Sequence, residues 1–600
     1  MLDENQRDGE EEFIYNEYAI DDTLDPLNRL LSYHSSGFSL QRQFLLRELA
    51  DTVRYAGFEQ STSHIIPLLS RFTNDCEPLV RRMLVQQLPE VAAYFVQEGG
   101  DAGYNCLLGK FLPIGFEMLV DKNVEVGAAA LVALKALGEL VKPEHVQEHL
   151  LHVAIMLARD ERAEDYRVVA ALLFNEMAGL FGKECCVNDV LPELELLAND
   201  SNFTVRKTVG ANLGKVCEVV QEEIADKTVL PIYLNLCLDE IWGVRKACAE
   251  NIEEISLGVS PTARADKLVP AFRLLLDDNS RWVRNGAYEY LGRFLHTLRP
   301  SDLTPALLKT YTDMAFESEN GDTDYSEPCA YSFPAVVEIA GPGRWDEAGD
   351  AYATLLKDVK WKVRKSLAHS LHEFAKILGR DLTESHLVTA FEMLIRDLDE
   401  VRLGVVLNAD VFLAVMGVAT RERLVPLLCH VPLDSENWRL RNVVGQRIGD
   451  VGVLLDPTSS SALGSVIALV LRLLDDSVME VRRSTYRSAA VLLKHLADAG
   501  RENSCGDYAD ALLQIAGRYS FRDRLMFPYI AEEVAKLDAE SLVDKYFLDG
   551  LLSLAKDKVS NVRYAVHTAL TRTFLVNDKW AHNTKIQQIE DALKDSEGEQ

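Results

Sequence analysis

The sequence predicts an all-α superhelical solenoid of about 14 helix-pair units, and three observations carry that prediction. A short motif recurs at a near-constant interval. Apolar residues fall at helical spacing on both sides of it. Turn and capping chemistry marks its middle. The motif is an apolar run, an Asp, four mixed residues, then a Val-Arg pair that opens a second apolar run. It reads DCEPLVRR at 75–82, DSNFTVRK at 200–207, DEIWGVRK at 239–246 and DNSRWVRN at 278–285. It returns as DVKWKVRK at 358–365, DSVMEVRR at 476–483 and DKVSNVRY at 557–564. Looser copies are DYR at 165–167, DLDEVR at 397–402, NWRLR at 437–441 and RDR at 522–524.

The arginines set the period. They are Arg42, Arg81, Arg167, Arg206, Arg245, Arg284, Arg364, Arg402, Arg441, Arg482, Arg524 and Arg563, with Gly127 in one slot. Most steps lie close to 39 residues, and the step from Arg284 to Arg364 is two periods, which implies a degenerate unit near residue 324. A period of about 40 to 47 residues with two helices per unit is the signature of HEAT or armadillo repeats. The fold class is therefore a HEAT-repeat solenoid, in which no helix pair buries its apolar face alone and stacking creates a continuous core.

Each part of the unit has a local reason. After Asp239 the apolar residues Val244, Ala247, Cys248, Ile252 and Ile255 lie on one helix face. Before it, Leu230, Ile232, Tyr233, Leu236 and Cys237 supply the first helix, and Leu230-Pro231 reads as its start, since proline is tolerated in a first turn. Leu191-Pro192, Val269-Pro270 and Val425-Pro426 read the same way. The Asp between the helices is placed to cap the second helix or accept from nearby backbone N–H groups. The Arg six residues on can pair with Asp residues of its own and the next unit. The pairs Asp75/Arg81, Asp200/Arg206, Asp239/Arg245, Asp278/Arg284, Asp358/Arg364, Asp476/Arg482 and Asp557/Arg563 then form a structural ladder, weakened where Gly127 replaces Arg.

The organisation that follows is an acidic, disordered tail at 1–28, a repeat block at 29–300, an irregular repeat at 301–328, a second block at 329–595 and an acidic tail at 596–600. Residues 315–328, AFESENGDTDYSEP, read as an elongated mobile loop. The chain carries 63 Lys+Arg against 93 Asp+Glu, a net charge of −30, which disfavours nucleic-acid and anionic-membrane partners. The first residues, MLDENQRDGEEE, lack the basic and apolar regions of a secretory signal, and no apolar run reaches the roughly 18 residues of a membrane span. Ten Cys without a CxxC pair suit a reducing compartment, cytoplasmic or nuclear.

Little in the sequence points to catalysis or a cofactor. HVQEH at 145–149 matches a zinc-protease spacing, but the repeat register places it on an ordinary first helix. Cys185-Cys186 reads as two small, partly buried thiols. Basic doublets such as Arg81-Arg82 and Arg482-Arg483 fall within the repeat itself. The Trp residues are more informative. Trp242, Trp361 and Trp438 lie three residues before the repeat Arg, and Trp282 two before, so four of the six sit in the turn between paired helices. Repeats present the same feature on the same side, and Trp and Arg on an exposed ridge are typical anchors for a protein partner. Trp361 and Trp438 are the leading candidates.

The longer strings carry a resemblance. WGVRKACAE at 242–250, NWRLR at 437–441 and KVSNVRYAV at 558–566 resemble the HEAT-repeat scaffold subunit of protein phosphatase 2A. CAYSFPAVV at 329–337, WKVRKSLAHSLHEFAKILG at 361–379 and RDLDEVRLGV at 396–405 are more similar to the family of serine/threonine-protein phosphatase 4 regulatory subunit 1. The resemblance implies a non-catalytic subunit, without a cofactor, that grips a phosphatase catalytic subunit by its intra-repeat turns and recruits substrates or a further regulatory subunit. The ridge it implies comprises Trp438, Arg439, Met479, Glu480, Tyr519, Arg522, Val559 and Asn561, and the reading of the Trp-bearing turns adds Trp361 and Lys362. Two rivals remain, a protein phosphatase 2A scaffold and a nuclear transport or adaptor protein of HEAT type.

Overall fold

The computed structural model describes residues 19–316, 324–458, 460–537, 539–576, 580 and 583–597. Helix is the regular structure throughout these residues, and no strand occurs among them. The chain divides into two compact units, Met1–Tyr290 and Leu291–Gln600. Each is a stack of helix pairs.

The repeat of Arg245 shows how a pair is made. Its first helical segment begins at Glu222, widens into a π turn over Ala225–Val229 and continues as Leu230–Leu236. After the turn, Trp242–Glu250 and Ile252–Gly258 form the second helix. Val244, Ala247, Cys248, Ile252 and Ile255 are all buried, as their spacing predicts. Each fully buried aliphatic side chain of this size contributes about 1.5–3 kcal/mol relative to exposure. Tyr233 ties the pair together: its buried hydroxyl donates to the Cys248 carbonyl at 2.6 Å. The break at Asn251 is tied to the preceding repeat, because its Nδ2 donates to the Gly210 carbonyl at 3.2 Å.

The prolines sit differently from the expected helix starts. Pro67, Pro113, Pro192, Pro231 and Pro270 each follow a π turn and lie inside a continuous helical segment. Pro426 is likewise inside the helix Val418–Asp434. Proline lacks an N–H and its ring displaces the carbonyl four residues back; a local widening of the helix accommodates both.

A second recurring device joins one repeat to the next. Gly57, Gly182 and Gly379 have φ of 78°, 76° and 72°, a backbone conformation open mainly to glycine. Four residues after each, a buried Ser61, Cys186 or Thr383 donates to the carbonyl of Val53, Ala178 or Ala375 at 3.3, 3.5 and 3.4 Å. Cys186 is therefore a structural donor, and burial pushes its thiol up to about 12. Gln221 occupies the same turn with φ 69° and ψ 160°.

In the second unit the degenerate repeat near residue 324 is present as a helix pair, Pro305–Thr312 with Asp313–Ala315, then Ser326–Ala340. Tyr311 donates to the Cys329 carbonyl at 2.5 Å, the same tie that Tyr233 makes. The expected loop is shorter than 315–328: Ala315 and residues 326–328 are helical, and 317–323 lie outside the described residues. The tail boundaries shift too. A helix, Pro26–Tyr33, begins within 1–28, capped by Asp25, which accepts from the Asn28 N–H. A last helix runs Thr584–Glu597. Residues 1–18 and 598–600 lie outside the described residues.

Candidate functional site

The turns between paired helices hold both the ladder and the ridge. In a complete rung, Arg Nε and Nη2 donate to both oxygens of the Asp carboxylate in the next repeat. In the first unit these pairs are Arg42–Asp75, Arg81–Asp121, Arg167–Asp200, Arg206–Asp239 and Arg245–Asp278, with Nε–Oδ2 distances of 2.6–2.7 Å. The remaining Nη1 donates to the carbonyl of the residue in the Asp slot of its own repeat, as from Arg81 to Asp75 (2.7 Å), Arg206 to Asp200 (2.8 Å) and Arg245 to Asp239 (2.7 Å). The Asp also accepts from the N–H two residues on, as Asp200 does from Asn202 and Asp239 from Ile241. The expected pairing with Asp residues of both repeats is thus refined. An Arg uses the backbone of its own repeat and the carboxylate of the next.

The bidentate pairs are largely buried, and bidentate geometry is the strong form of the Arg–carboxylate interaction. The Arg81 guanidinium holds the Asp121 carboxyl below the usual range against the opposing effect of burial. At Asp75, Asp200, Asp239 and Asp278 burial is the largest single influence and opposes ionisation, yet their Arg and backbone hydrogen bonds still lower the carboxyls. Gly127 supplies no rung.

The second unit completes only alternate rungs. Arg364–Asp397, Arg441–Asp476 and Arg524–Asp557 are bidentate. Between them the Asp slot holds Ser435 and then Arg518. The Nε atoms of Arg402 and Arg482 are buried without a hydrogen-bond partner. Arg482 still donates to the Asp476 and Ser477 carbonyls, and Arg563 to that of Asp557. Arg518 turns back to Asp475 and lies 3.9 Å from Asp523. Arg284 donates to the Asp278 carbonyl, and Asp358 accepts from the Lys360 N–H. The ladder named from sequence is therefore continuous over only part of the chain. A six-residue motif spacing does not reveal whether the next repeat supplies a carboxylate.

The ridge runs along the turns and the first residues of the second helices. Val124, Phe203 and Trp242 in the first unit occupy the first helical position, as do Trp361, Trp438, Met479 and Phe521 in the second. Of the residues assigned to the ridge, Trp361, Lys362, Arg439, Met479, Glu480, Tyr519, Arg522 and Asn561 are exposed, and Trp438 and Val559 are half-buried. The Arg439 guanidinium lies over the Trp438 ring at 4.9 Å, and Lys365 over Trp361 at 5.7 Å. The first unit carries the more open aromatic pair. Trp242 and Trp282 are 48% and 49% exposed, against 38% for Trp361, and their ring centroids are 6.4 Å apart. Arg281 lies over Trp282 at 4.7 Å. Val124, Phe203 and Phe521 were not singled out from sequence, although the same three-residue offset from the Arg slot marks them.

The other motifs resolve into structure. His145 Nδ1 shares a 2.9 Å hydrogen bond with the Tyr104 hydroxyl, and His149 packs edge-on against His145. Among the described residues no group of three or more His, Cys, Asp or Glu side chains converges as a metal site. No helix among them is long and apolar enough to cross a membrane.

Residues 329–431 match the family described as the protein phosphatase 4 regulatory subunit 1 middle domain. The chain is 32% identical over 317 residues to human serine/threonine-protein phosphatase 4 regulatory subunit 1, covering 51% of this chain and 33% of that protein. It is 35% identical over 281 residues to the rat protein, covering 46% and 29%. It thus spans about a third of the length of these curated relatives. Mouse serine/threonine-protein phosphatase 4 regulatory subunit 4 is 20% identical over 589 residues, covering 91% of this chain and 66% of that one. The resemblance carried by CAYSFPAVV, WKVRKSLAHSLHEFAKILG and RDLDEVRLGV is borne out, since all three strings fall within the matched residues. Among solved structures, importin beta has a TM-score of 0.60 at 14% identity, over 95% of this chain and 79% of that one. Kap95 in its complex with Nup1 has a TM-score of 0.61 at 12% identity, over 93% and 72%. These likenesses bear out the all-helical solenoid fold and nothing beyond it.

Proposed function

We propose that this chain is a non-catalytic regulatory or scaffold subunit of a phosphatase-4-type Ser/Thr protein phosphatase. The observation that carries the reading is the match of residues 329–431, which lies within a unit whose second helices open repeatedly on Trp, Met or Phe. The partner is a phosphatase catalytic subunit, held by the turn ridge around Trp438, Met479 and Tyr519. Hydrolytic chemistry and its metals belong to that partner. This chain restricts the partner's orientation and offers its remaining surface to substrates or a further regulatory subunit, in the cytoplasm or nucleus. Neither nucleic acid nor membrane is a partner in this reading. A permanent complex of this kind buries on the order of 2,000 Å².

The test is capture of purified phosphatase 4, 2A and 6 type catalytic subunits, in equal amounts, by the full chain. Selective capture of the phosphatase 4 type supports the reading. Preference for the 2A type replaces it with a general scaffold, and capture of none overturns it. Replacing Trp438 by Ala together with Arg439 by Glu is expected to weaken the complex by about 2 kcal/mol or more if these are anchors. Unchanged affinity removes them from the ridge.

A further inference from the structure

Two grooves flank one first helix of the second unit, Trp345–Leu355, on opposite sides. The groove toward Pro305–Thr312 has a volume of about 390 Å³ and includes Phe316 and Ala351 in its lining. The groove toward Val388–Leu394 has a volume of about 350 Å³ and includes Trp345, Tyr352, Leu356 and Met393. Both volumes are of the size that accepts a side chain or small ligand. Their floors are apolar, since Trp345, Ala351, Tyr352 and Leu356 are buried. Each mouth adds one exposed apolar side chain, Phe316 or Met393, among charged and polar neighbours. Neither groove belongs to the turn ridge.

Charge selects the occupant. Asp350 is exposed and lines both grooves from the helix between them, and Asp346 lines the second together with the exposed Lys357, so among the described residues the carboxylates outnumber the one ammonium there that no carboxylate pairs. Neighbouring carboxylates are already used: Glu347 pairs with Arg344, and Asp313 with Lys309. Asp346 and Asp350 make no ion pair among the described residues. Spacing selects its shape. A helix is about 10 Å across, so side chains entering both grooves must be about that far apart. A polyproline-II segment repeats every three residues with a rise of about 3.1 Å each, which places residues i and i+3 on one side about 9 Å apart.

We infer that the two grooves form one docking site for an extended, basic segment of a partner protein. Apolar side chains at i and i+3 enter the grooves, and an intervening Lys or Arg meets Asp350 and Asp346. The site stands on these residues alone and does not require the phosphatase reading.

The probe is a fluorescein-labelled peptide, Gly-Ser-Leu-Pro-Lys-Phe-Ser-Gly, titrated by anisotropy against the full chain. Saturable binding is expected, weakened at least about tenfold by Asp350→Lys and by a Lys-to-Glu change in the peptide. Phe316→Ser and Met393→Ser each act on one groove, and each is expected to weaken binding about fivefold or more, because each removes one apolar contact. All three protein positions are exposed, so folding, followed by thermal melting, is expected to be preserved. Trp438→Ala on the ridge leaves the affinity unchanged. Absence of saturable binding up to 1 mM peptide overturns the inference, as does an affinity indifferent to Asp350→Lys.

Discussion

In the first unit, Arg206 and Arg245 each find a carboxylate in the next repeat, while in the second unit Arg402 and Arg482 do not. The hydrophobic stacking is of the same kind on both sides of this contrast, since the second helices bury the same face throughout. What differs is the polar edge. A repeat touches only its neighbours, so each rung adds a local link that the apolar core lacks. The turns without the Asp are those of Ser435 and Arg518, and the residues that follow, Trp438-Arg439 and Tyr519-Arg522, are among those the resemblance assigns to a partner, as are Met479-Glu480 and Val559-Asn561 in turns that keep Asp476 and Asp557. The contrast teaches that a rung and an exposed ridge side chain are separate uses of a repeat turn: the turns of Asp476 and Asp557 carry both, and those of Ser435 and Arg518 carry no rung.

Acid is the widest test of that contrast. Rung carboxyls are held below their ordinary values in the folded chain, for example Asp200 by Arg167 and backbone N–H groups against the opposing effect of burial. Depressed folded values mean that the stabilisation is fully present above the unfolded carboxyl range near about 4 and is lost as pH falls through the folded values. Hydrogen exchange followed peptide by peptide from pH 7 downward is expected to show the first unit losing more protection than the second. Equal losses would break the comparison.

A single rung comes next in size. Arg206→Ala leaves the half-buried Asp239 carboxylate without its bidentate partner and is expected to cost about 2–3 kcal/mol in chemical denaturation. Arg482→Ala removes only hydrogen bonds to two carbonyls and is expected to cost about 1 kcal/mol. Similar costs at the two sites would mean that Arg482 has a carboxylate partner in solution.

Restoring a rung is smaller still. Arg518→Asp places a carboxylate in the vacant slot opposite Arg482 while giving up the exposed pair with Asp475. A net gain of about 1 kcal/mol is expected, read as a higher denaturation midpoint with hydrogen exchange slowed around 479–498. The smallest effect sharpens the first unit alone. Gln221 adopts a backbone conformation that glycine takes at Gly57, Gly182 and Gly379. Gln221→Gly relieves that strain but gives up the 2.6 Å hydrogen bond from Lys183 and adds chain entropy, so a gain of up to about 1 kcal/mol is expected. Destabilisation would show that the Lys183 contact outweighs the strain.

Much of this fold is legible in the residues themselves. Val244, Ala247, Cys248, Ile252 and Ile255 state the buried face of a second helix, and the Arg positions state the period, because both are local patterns with a fixed repeat. Even the repeat without a motif is legible from the doubled interval between Arg284 and Arg364. The ridge was half legible. Trp draws attention at Trp361 and Trp438, whereas Phe203 and Val124 hold the same position with less conspicuous side chains. The prolines misled, because a π turn that shelters Pro231 inside a helix leaves no mark in a helical apolar pattern.

The sequence by itself determined a stack of helix pairs, the residues of its core, the identity of the ladder side chains and the family resemblance. Each rests on neighbours in the chain, where helical spacing and motif order are direct consequences of covalent connectivity. Only the tertiary structure decided that Arg206 pairs with Asp239 rather than Asp200, that Arg482 is left facing Arg518's slot, and that Asp350 sits between two grooves. Those outcomes depend on which surfaces meet across repeats some 33 to 40 residues apart. A carboxylate six residues away and one 33 residues away are equally compatible with the motif until packing brings one of them within hydrogen-bond reach.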